Sequence, residues 1–264
     1  MKELNGRELA GYIKERQAHQ VRHLRALKKF PKLVIFYDND NPVILKYISL
    51  KERYGADILV DVETRKINAT NASAELRAAA DDPAVSGIIV QLPLTECDME
   101  ILNLIPNEKD VDGLRGERDT ATAMAIHWLL TGYGVELPSL KLAIVGRGKL
   151  VGAPLLKMWT ESGYDVTMFH RGDDLAQLSG YDVIVTATGV PGLITSAHLK
   201  QGAVVVDAGT ASENGVIKGD ISDEVRAERD DLTITPIIGG VGPLTVAMLF
   251  ENVIRAASVG TDAE

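Results

Sequence analysis

The chain has 264 residues, 45% of them hydrophobic, and a formal charge of −9, enough length for one large or two modest domains with a substantial core. The negative balance, with no basic tract against it, excludes a typical nucleic-acid binder. Cys97 is the sole cysteine, so no disulfide forms within the chain and no multi-cysteine metal site exists, and no apolar run approaches the ~18 residues of a membrane span.

The start, Met1-Lys-Glu-Leu-Asn-Gly6, lacks the apolar core of a signal peptide, which predicts a cytoplasmic protein. Residues 3–27 read as an amphipathic helix rich in Arg, His and Lys. Residues 32–37 read as a buried strand, 43–54 as a helix after the turn Asp38-Asn-Asp-Asn-Pro42, and 57–62 as a second strand. An alanine-rich helix over 71–80 and a third strand over 86–91 follow. The pattern restarts after a linker at 131–138. Strands are expected at 142–145, 165–169, 181–187, 202–207 and 232–235, with helices at 151–163 and 244–257. Strands that are apolar throughout and alternate with helices indicate parallel sheets covered on both faces. The expected fold class is α/β, as two α/β domains with a ligand cleft between them, the second a Rossmann-like dinucleotide-binding domain.

Gly146-Arg-Gly-Lys-Leu-Val-Gly152 follows a strand and opens a helix. It is one residue longer than G-x-G-x-x-G, and its strand–turn–helix setting is what supports a nucleotide site. The glycines would admit a pyrophosphate, and the helix starting near Val151 would offer free N–H groups and a partial positive charge. NAD sites place an acid at the end of the next strand, whereas NADP sites place Arg. Here that strand ends in Phe169-His170-Arg171, and Arg147 lies in the turn, which favours NADP. Asp173 and Asp174 would oppose that preference if their loop folds back.

Four residues carry the candidate chemistry. Tyr47 and Lys51 lie at i and i+4 on one helix face, where an aromatic ring can stack on a flat heterocycle and an amine in a partly dry cleft can move protons. Gln91 ends the third strand, where parallel sheets place their sites, and its amide both donates and accepts. Asp112 sits in Lys109-Asp-Val-Asp-Gly113; a carboxylate there can take two parallel N–H bonds from a 2-amino-4-oxo heterocycle. Alone, each has an ordinary structural explanation: a solvated helix face, a cap, an Asx turn. The five histidines show no metal-ligand arrangement beyond an i, i+4 pair, His19 and His23, on a charged helix, and there is no P-loop or Gly-x-Ser-x-Gly elbow.

In order along the chain, these motifs resemble the bifunctional methylenetetrahydrofolate dehydrogenase/cyclohydrolase family. Pro42, Tyr47 and Lys51 match its Pro-x-x-x-x-Tyr-x-x-x-Lys helix. Val90 to Leu94 match its Val-Gln-Leu-Pro-Leu, and Lys109 to Gly113 match its Lys-Asp-Val-Asp-Gly. Gly146 to Pro154 match its Gly-Arg-Ser-x-x-Val-Gly-x-Pro with Gly148 in the Ser place, and Gly239 to Thr245 match its Gly-Gly-Val-Gly-Pro-Met-Thr with Leu244 for Met. The resemblance implies a folate-binding catalytic domain of residues 1–120 and 245–264, an NADP domain of residues 121–244, and a homodimer. It implies oxidation of 5,10-methylenetetrahydrofolate to the methenyl form with NADP, then hydrolysis to 10-formyltetrahydrofolate, within one-carbon metabolism and purine biosynthesis. Lys51 would serve the hydrolysis, Tyr47 would stack on the folate, Gln91 would tune the lysine and Asp112 would bind the pterin. Leu92, Gly240, Pro243 and Thr245 would join the folate site. Gly146, Arg147, Gly148, Val151, Gly152, His170, Arg171, Thr188 and Gly189 would form the NADP site.

The chain departs from the family pattern at Thr120-Ala-Thr-Ala123, where Pro-Cys-Thr-Pro is usual, and the 113–122 segment is shorter. Ile44 stands for a Ser near the folate, Ile237-Ile238 for Val-Pro, and His170-Arg171-Gly172 for His-Ser-x. A monofunctional dehydrogenase, or another two-domain NADP oxidoreductase such as a shikimate-dehydrogenase-like enzyme, are the alternatives.

Overall fold

The computed structural model describes residues 2–209, 211–213 and 216–259. In chain order the elements are β1 (Lys2–Glu3), α1 (Gly6–Ala26), β2 (Lys32–Tyr37), α2 (Pro42–Asp57), β3 (Asp61–Lys66), α3 (Ala72–Asp81) and β4 (Gly87–Val90). Then come α4 (Ala121–Gly132), β5 (Leu142–Val145), α5 (Gly152–Glu161), β6 (Val166–Phe169), β7 (Val183–Thr186) and β8 (Val204–Asp207). The short antiparallel pair β9 (Ala211–Glu213) and β10 (Val216–Lys218), α6 (Asp223–Glu228), β11 (Thr233–Ile234) and α7 (Val241–Ser258) complete the chain.

The chain forms two compact units. One holds Gly11–Ala121 and the chain from Val246 on; the other holds the chain up to Ala10 and Thr122–Thr245. Residues 2–10 therefore pack with the later unit, not with residues 11–120 as the sequence reading has it. Sheet pairing decides this: Lys2 and Glu3 stand in parallel register with Thr233 and Ile234. Residues 260–264 lie outside the described residues.

In the unit of residues 11–121 the sheet is β3-β2-β4, all parallel. Apolar Leu33–Phe36 and Gly87–Val90 are buried because helices and turns cover both faces. β3 corrects the expected strand at 57–62. Ile58 and Val60 are buried, but as the turn ending α2, and Leu59 has φ +65°. The strand begins only at Asp61 and is polar because it is the sheet's edge, where Glu63 pairs with Lys32 and Arg65. Gly55 allows the tight return: a Cβ there would lie 2.4 Å from Val62 Cγ2. The core is Val34, Phe36, Leu76, Ile88, Val90 and Ile105 with their neighbours.

In the other unit six strands run parallel in the order β1-β11-β8-β7-β5-β6. Counting from β5, the order 2-1-3-4 reverses direction between β5 and β7, and such a switch point opens a crevice outside the carboxyl ends of the strands. Residues 121–132, where the residue pattern alone predicted no element, form α4. It is nearly all apolar, so burial on several faces removes the periodicity that marks a surface helix.

Candidate active site

The first cluster lies outside the carboxyl ends of β2 and β4, the switch point of the three-stranded sheet. Asn41 caps α2 by accepting the Val43 N–H at 2.9 Å, and Pro42 occupies its first turn. Ile44 and Ile48 face the core, which leaves Tyr47 exposed and Lys51 half-buried on the adjoining stripe. Ile44 is therefore buried where a Ser was the expected residue. Gln91 follows β4 directly, its N–H donating to the Phe36 carbonyl at 2.7 Å. The Gln91 side-chain nitrogen donates to the Leu92 carbonyl at 3.0 Å, which turns Oε1 toward Lys51. Lys51 Nζ donates to that oxygen at 2.5 Å. Burial pushes the Lys51 ammonium below its ordinary range, and the Asp112 charge opposes this only in part. Burial likewise pushes Asp112 up, Lys51 pulls it back, and Asp110 adds to the rise. A half-buried amine and a half-buried carboxylate, each shifted toward its neutral form, mark a site equipped for proton movement.

Four of the five residues in Lys109-Asp-Val-Asp-Gly113 build the platform for the other. Lys109 Nζ donates to the carbonyls of Ala80 and Asp82, both at 2.7 Å, and so caps the carboxyl end of α3. Asp110, 2% exposed, accepts the N–H groups of Gly113, Leu114 and Arg115. Val111 is buried in the core. Gly113 has φ +73°, and a Cβ there would sit 2.7 Å from the Asp119 carbonyl. Asp112 alone is left for a ligand. The segment from Gly113 to Ala121 is a tight turn, with the Gly116 N–H on the Gly113 carbonyl at 3.2 Å.

Sequence reading missed Asp38. It is fully buried and accepts the N–H groups of Thr95, Glu96 and Cys97, so it anchors the loop that carries Gln91-Leu-Pro-Leu94. Asn39 adds a bond to the Pro93 carbonyl at 3.1 Å. The only signal was an acid at a strand end in a turn-forming run, which reads equally as an Asx turn. Burial alone would raise Asp38, but hydrogen bonds from Glu96, Asn39, Cys97 and Thr95 outweigh it and hold the carboxyl below its ordinary 3.8. Its stabilisation is therefore complete above about pH 4 and disappears as pH falls through the folded-state value. Asp38→Asn should cost about 1–3 kcal/mol at neutral pH and flatten the acid limb of stability, read by urea melts between pH 3 and pH 7. An unchanged acid limb would show that Asp38 is not a clamp.

The second cluster surrounds the β5–β7 switch point. Gly146 has φ +102°, and a Cβ there would lie 2.7 Å from the Ala187 carbonyl. A Cβ on Gly152 would be 1.8 Å from the Gly146 carbonyl, so the first turn of α5 rests directly on the loop backbone. Gly148 faces open space, which is why a serine is compatible with that place. Val151 caps α5 without a side-chain bond; the Ala153 N–H is taken by the Gly148 carbonyl at 3.1 Å and Pro154 carries none, so within the first turn the Gly152 N–H remains for an anion. Asp220 accepts from Thr186 Oγ1 at 2.6 Å and the Thr188 N–H at 2.7 Å, fixing the strand end that leads to Gly189. Arg147, His170 and Arg171 are exposed. The loop after β6 does fold back, since Asp173 accepts the His170 N–H at 2.6 Å. Its carboxylate is thus held on the backbone, and Asp174 caps the next turn through Ala176. These residues fit a dinucleotide whose extra phosphate meets arginine.

Gly240, Pro243 and Thr245 fall in this second unit, not with Lys51. The expected start of the last helix at 244 is late by three residues: α7 begins at Val241, so Pro243 and Thr245 lie in its opening turns. Gly240 is buried, and a Cβ on Gly6 would come 1.8 Å from its carbonyl. The Gly239-Gly240 pair is thus explained by close packing of α1 on this turn.

The family description "Tetrahydrofolate dehydrogenase/cyclohydrolase, catalytic domain" matches residues 4–112. Its companion, "Tetrahydrofolate dehydrogenase/cyclohydrolase, NAD(P)-binding domain", matches residues 120–261. The Bifunctional protein FolD of Exiguobacterium sp. is 32% identical, over 97% of this chain and 99% of the relative. The bifunctional enzyme FolD from Campylobacter jejuni superposes with a TM-score of 0.91 at 29% identity, over 98% of this chain and 99% of the other. The Trypanosoma brucei enzyme, solved with NADP cofactor and inhibitor, superposes with a TM-score of 0.87 at 28% identity, over 98% of each chain.

Proposed function

The chain belongs to the tetrahydrofolate dehydrogenase/cyclohydrolase family, and on that premise we propose how its residues divide two successive reactions on one folate. The enzyme oxidises 5,10-methylenetetrahydrofolate to 5,10-methenyltetrahydrofolate with NADP, and hydrolyses the product to 10-formyltetrahydrofolate. The observation that carries the division is Lys51: a half-buried amine, lowered in pKa, on Gln91 Oε1 at 2.5 Å.

NADP, when bound, supplies the hydride acceptor. The adjacent folate nitrogen expels the hydride from the methylene carbon, so the protein has little acid–base work in that step and acts by positioning. Asp112 accepts the pterin's N–H groups and Tyr47 stacks on the ring. In the hydrolysis, water adds to the electron-poor methenyl carbon. Neutral Lys51 takes a proton from that water and returns one to N5 as the C–N5 bond breaks, leaving the formyl group on N10; one proton is released overall. Gln91 Oε1 holds the amine in place throughout.

Residues 11–121 with the chain from Val246 on form the folate side, and residues 122–245 with the chain up to Ala10 the NADP side. A cytoplasmic homodimer that feeds purine biosynthesis is the assembly and setting this reading favours. Appearance of NADPH absorbance with methylenetetrahydrofolate, and decay of methenyltetrahydrofolate absorbance without dinucleotide, are the expected signals. Absence of the second would leave a monofunctional dehydrogenase.

Arg171 should set cofactor choice. Loss of a charge-assisted bond worth about 1.5–3 kcal/mol predicts that Arg171→Ala lowers the NADP-to-NAD ratio of kcat/KM about tenfold or more. An unchanged ratio would transfer the role to Arg147.

A further inference from the structure

We propose that Asn252, in the middle of α7, is a positioning residue that fixes the Val111–Asp112 peptide and thereby aims the Asp112 carboxylate at the folate. This rests on Asp112 being the pterin ligand. Asp112 follows no regular strand, and Asp110 makes only an isolated bridge to Ile88. On the carboxyl side of Asp112, the Asp110 side chain holds three consecutive N–H groups. On its amino side, the Val111 carbonyl needs a partner from elsewhere, because a buried carbonyl is not left unpaired.

Asn252 supplies it. Its Nδ2 donates to that carbonyl at 2.8 Å, in a buried bond spanning 141 residues of sequence. Asn252 is itself 2% exposed. Arg255, one helical turn on, donates to Asn252 Oδ1 at 2.6 Å, which settles which end of the amide faces the loop. The next residue, Val253, packs beside Val111 over Gly87, where a Cβ would meet both side chains within 3.1 Å. Thus α7 grips the loop with one polar and one apolar residue. Rotation of the Val111–Asp112 peptide would break the Asn252 bond and swing the Asp112 side chain.

Two variants test this beside a control. Asn252→Asp keeps the size and keeps an oxygen for Arg255, but sets a carboxylate oxygen against the Val111 carbonyl. Asn252→Leu removes the bond without adding charge. Both should raise KM for methylenetetrahydrofolate at least tenfold and leave KM for NADP within twofold. Because Asp112 raises the Lys51 pKa, its displacement in Asn252→Leu should also move the rising limb of the cyclohydrolase profile to lower pH, as Asp112→Asn should. A lowered Tm with wild-type folate KM and an unmoved pH limb in either variant would overturn the proposal, as would an equal loss in every kinetic parameter. If Asp112→Asn itself leaves folate KM unchanged, the assignment of Asp112 falls, and the role of Asn252 falls with it.

Discussion

Lys51→Met should reduce cyclohydrolase kcat by about 10²–10⁴ while dehydrogenase kcat stays within a few-fold of wild type. The two reactions differ in what they ask of the protein. Hydrolysis needs a group that takes a proton from water and gives one to N5, and methionine can do neither. Hydride transfer needs the two rings in register, which a side chain of similar length leaves undisturbed. Stability should hold or rise in the variant. Lys51 has its folded-state pKa lowered by burial, so the charged form is penalised in the folded protein at every pH below its ordinary 10.5, and the penalty eases as pH rises. Removing the amine removes that penalty. In the wild-type enzyme the same shift places the rising limb of cyclohydrolase activity below the pH at which an ordinary lysine loses its proton. Stopped assays on each half-reaction, with a thermal melt, check all three statements. Equal loss of both activities at unchanged Tm would remove Lys51 from its role.

Gly152→Ala should cripple dinucleotide binding through a single added methyl group. The added carbon would sit 1.8 Å from the Gly146 carbonyl oxygen and 2.9 Å from its carbon. Both are backbone atoms, and Gly146 cannot retreat, since its own α-carbon faces the Ala187 carbonyl. Helix α5 would have to shift, at a cost of about 1–3 kcal/mol or more for overpacking, and the glycine turn that would cradle the phosphates would shift with it. KM for NADP should rise at least tenfold. Hydrolysis started from methenyltetrahydrofolate needs no dinucleotide and should persist below the melting temperature. Gly148→Ser, in the same loop but facing open space, should stay within twofold of wild type in both assays. A harmless Gly152→Ala would mean that the loop is not a tight phosphate cradle.

Much of this was legible in the linear chain. The strands at 32–37 and 142–145 match their sequence-read limits, because a fully buried parallel strand is apolar along its whole length. Lys51 and Gln91, 40 residues apart in sequence, meet at 2.5 Å as their motif order suggested. Other parts were not legible. The apolar run at 57–60 is buried either as strand or as turn, and only the contact of Gly55 with Val62 favours the turn. Asp38 and Asn252 look like ordinary polar residues of a turn and a helix; their partners lie 57 and 141 positions away.

Sequence alone determined the alternation of strands and helices and the position of the glycine turn after β5, and it offered four side chains as candidates for the chemistry. These are local properties, set by period, propensity and residue type within a few turns of chain. Tertiary structure decided which unit claims residues 2–10, which end of each side-chain amide faces its partner, and which acids are clamps rather than ligands. Each of those outcomes depends on backbone groups distant in the chain that must find partners once water is excluded, and no local pattern records where those partners lie.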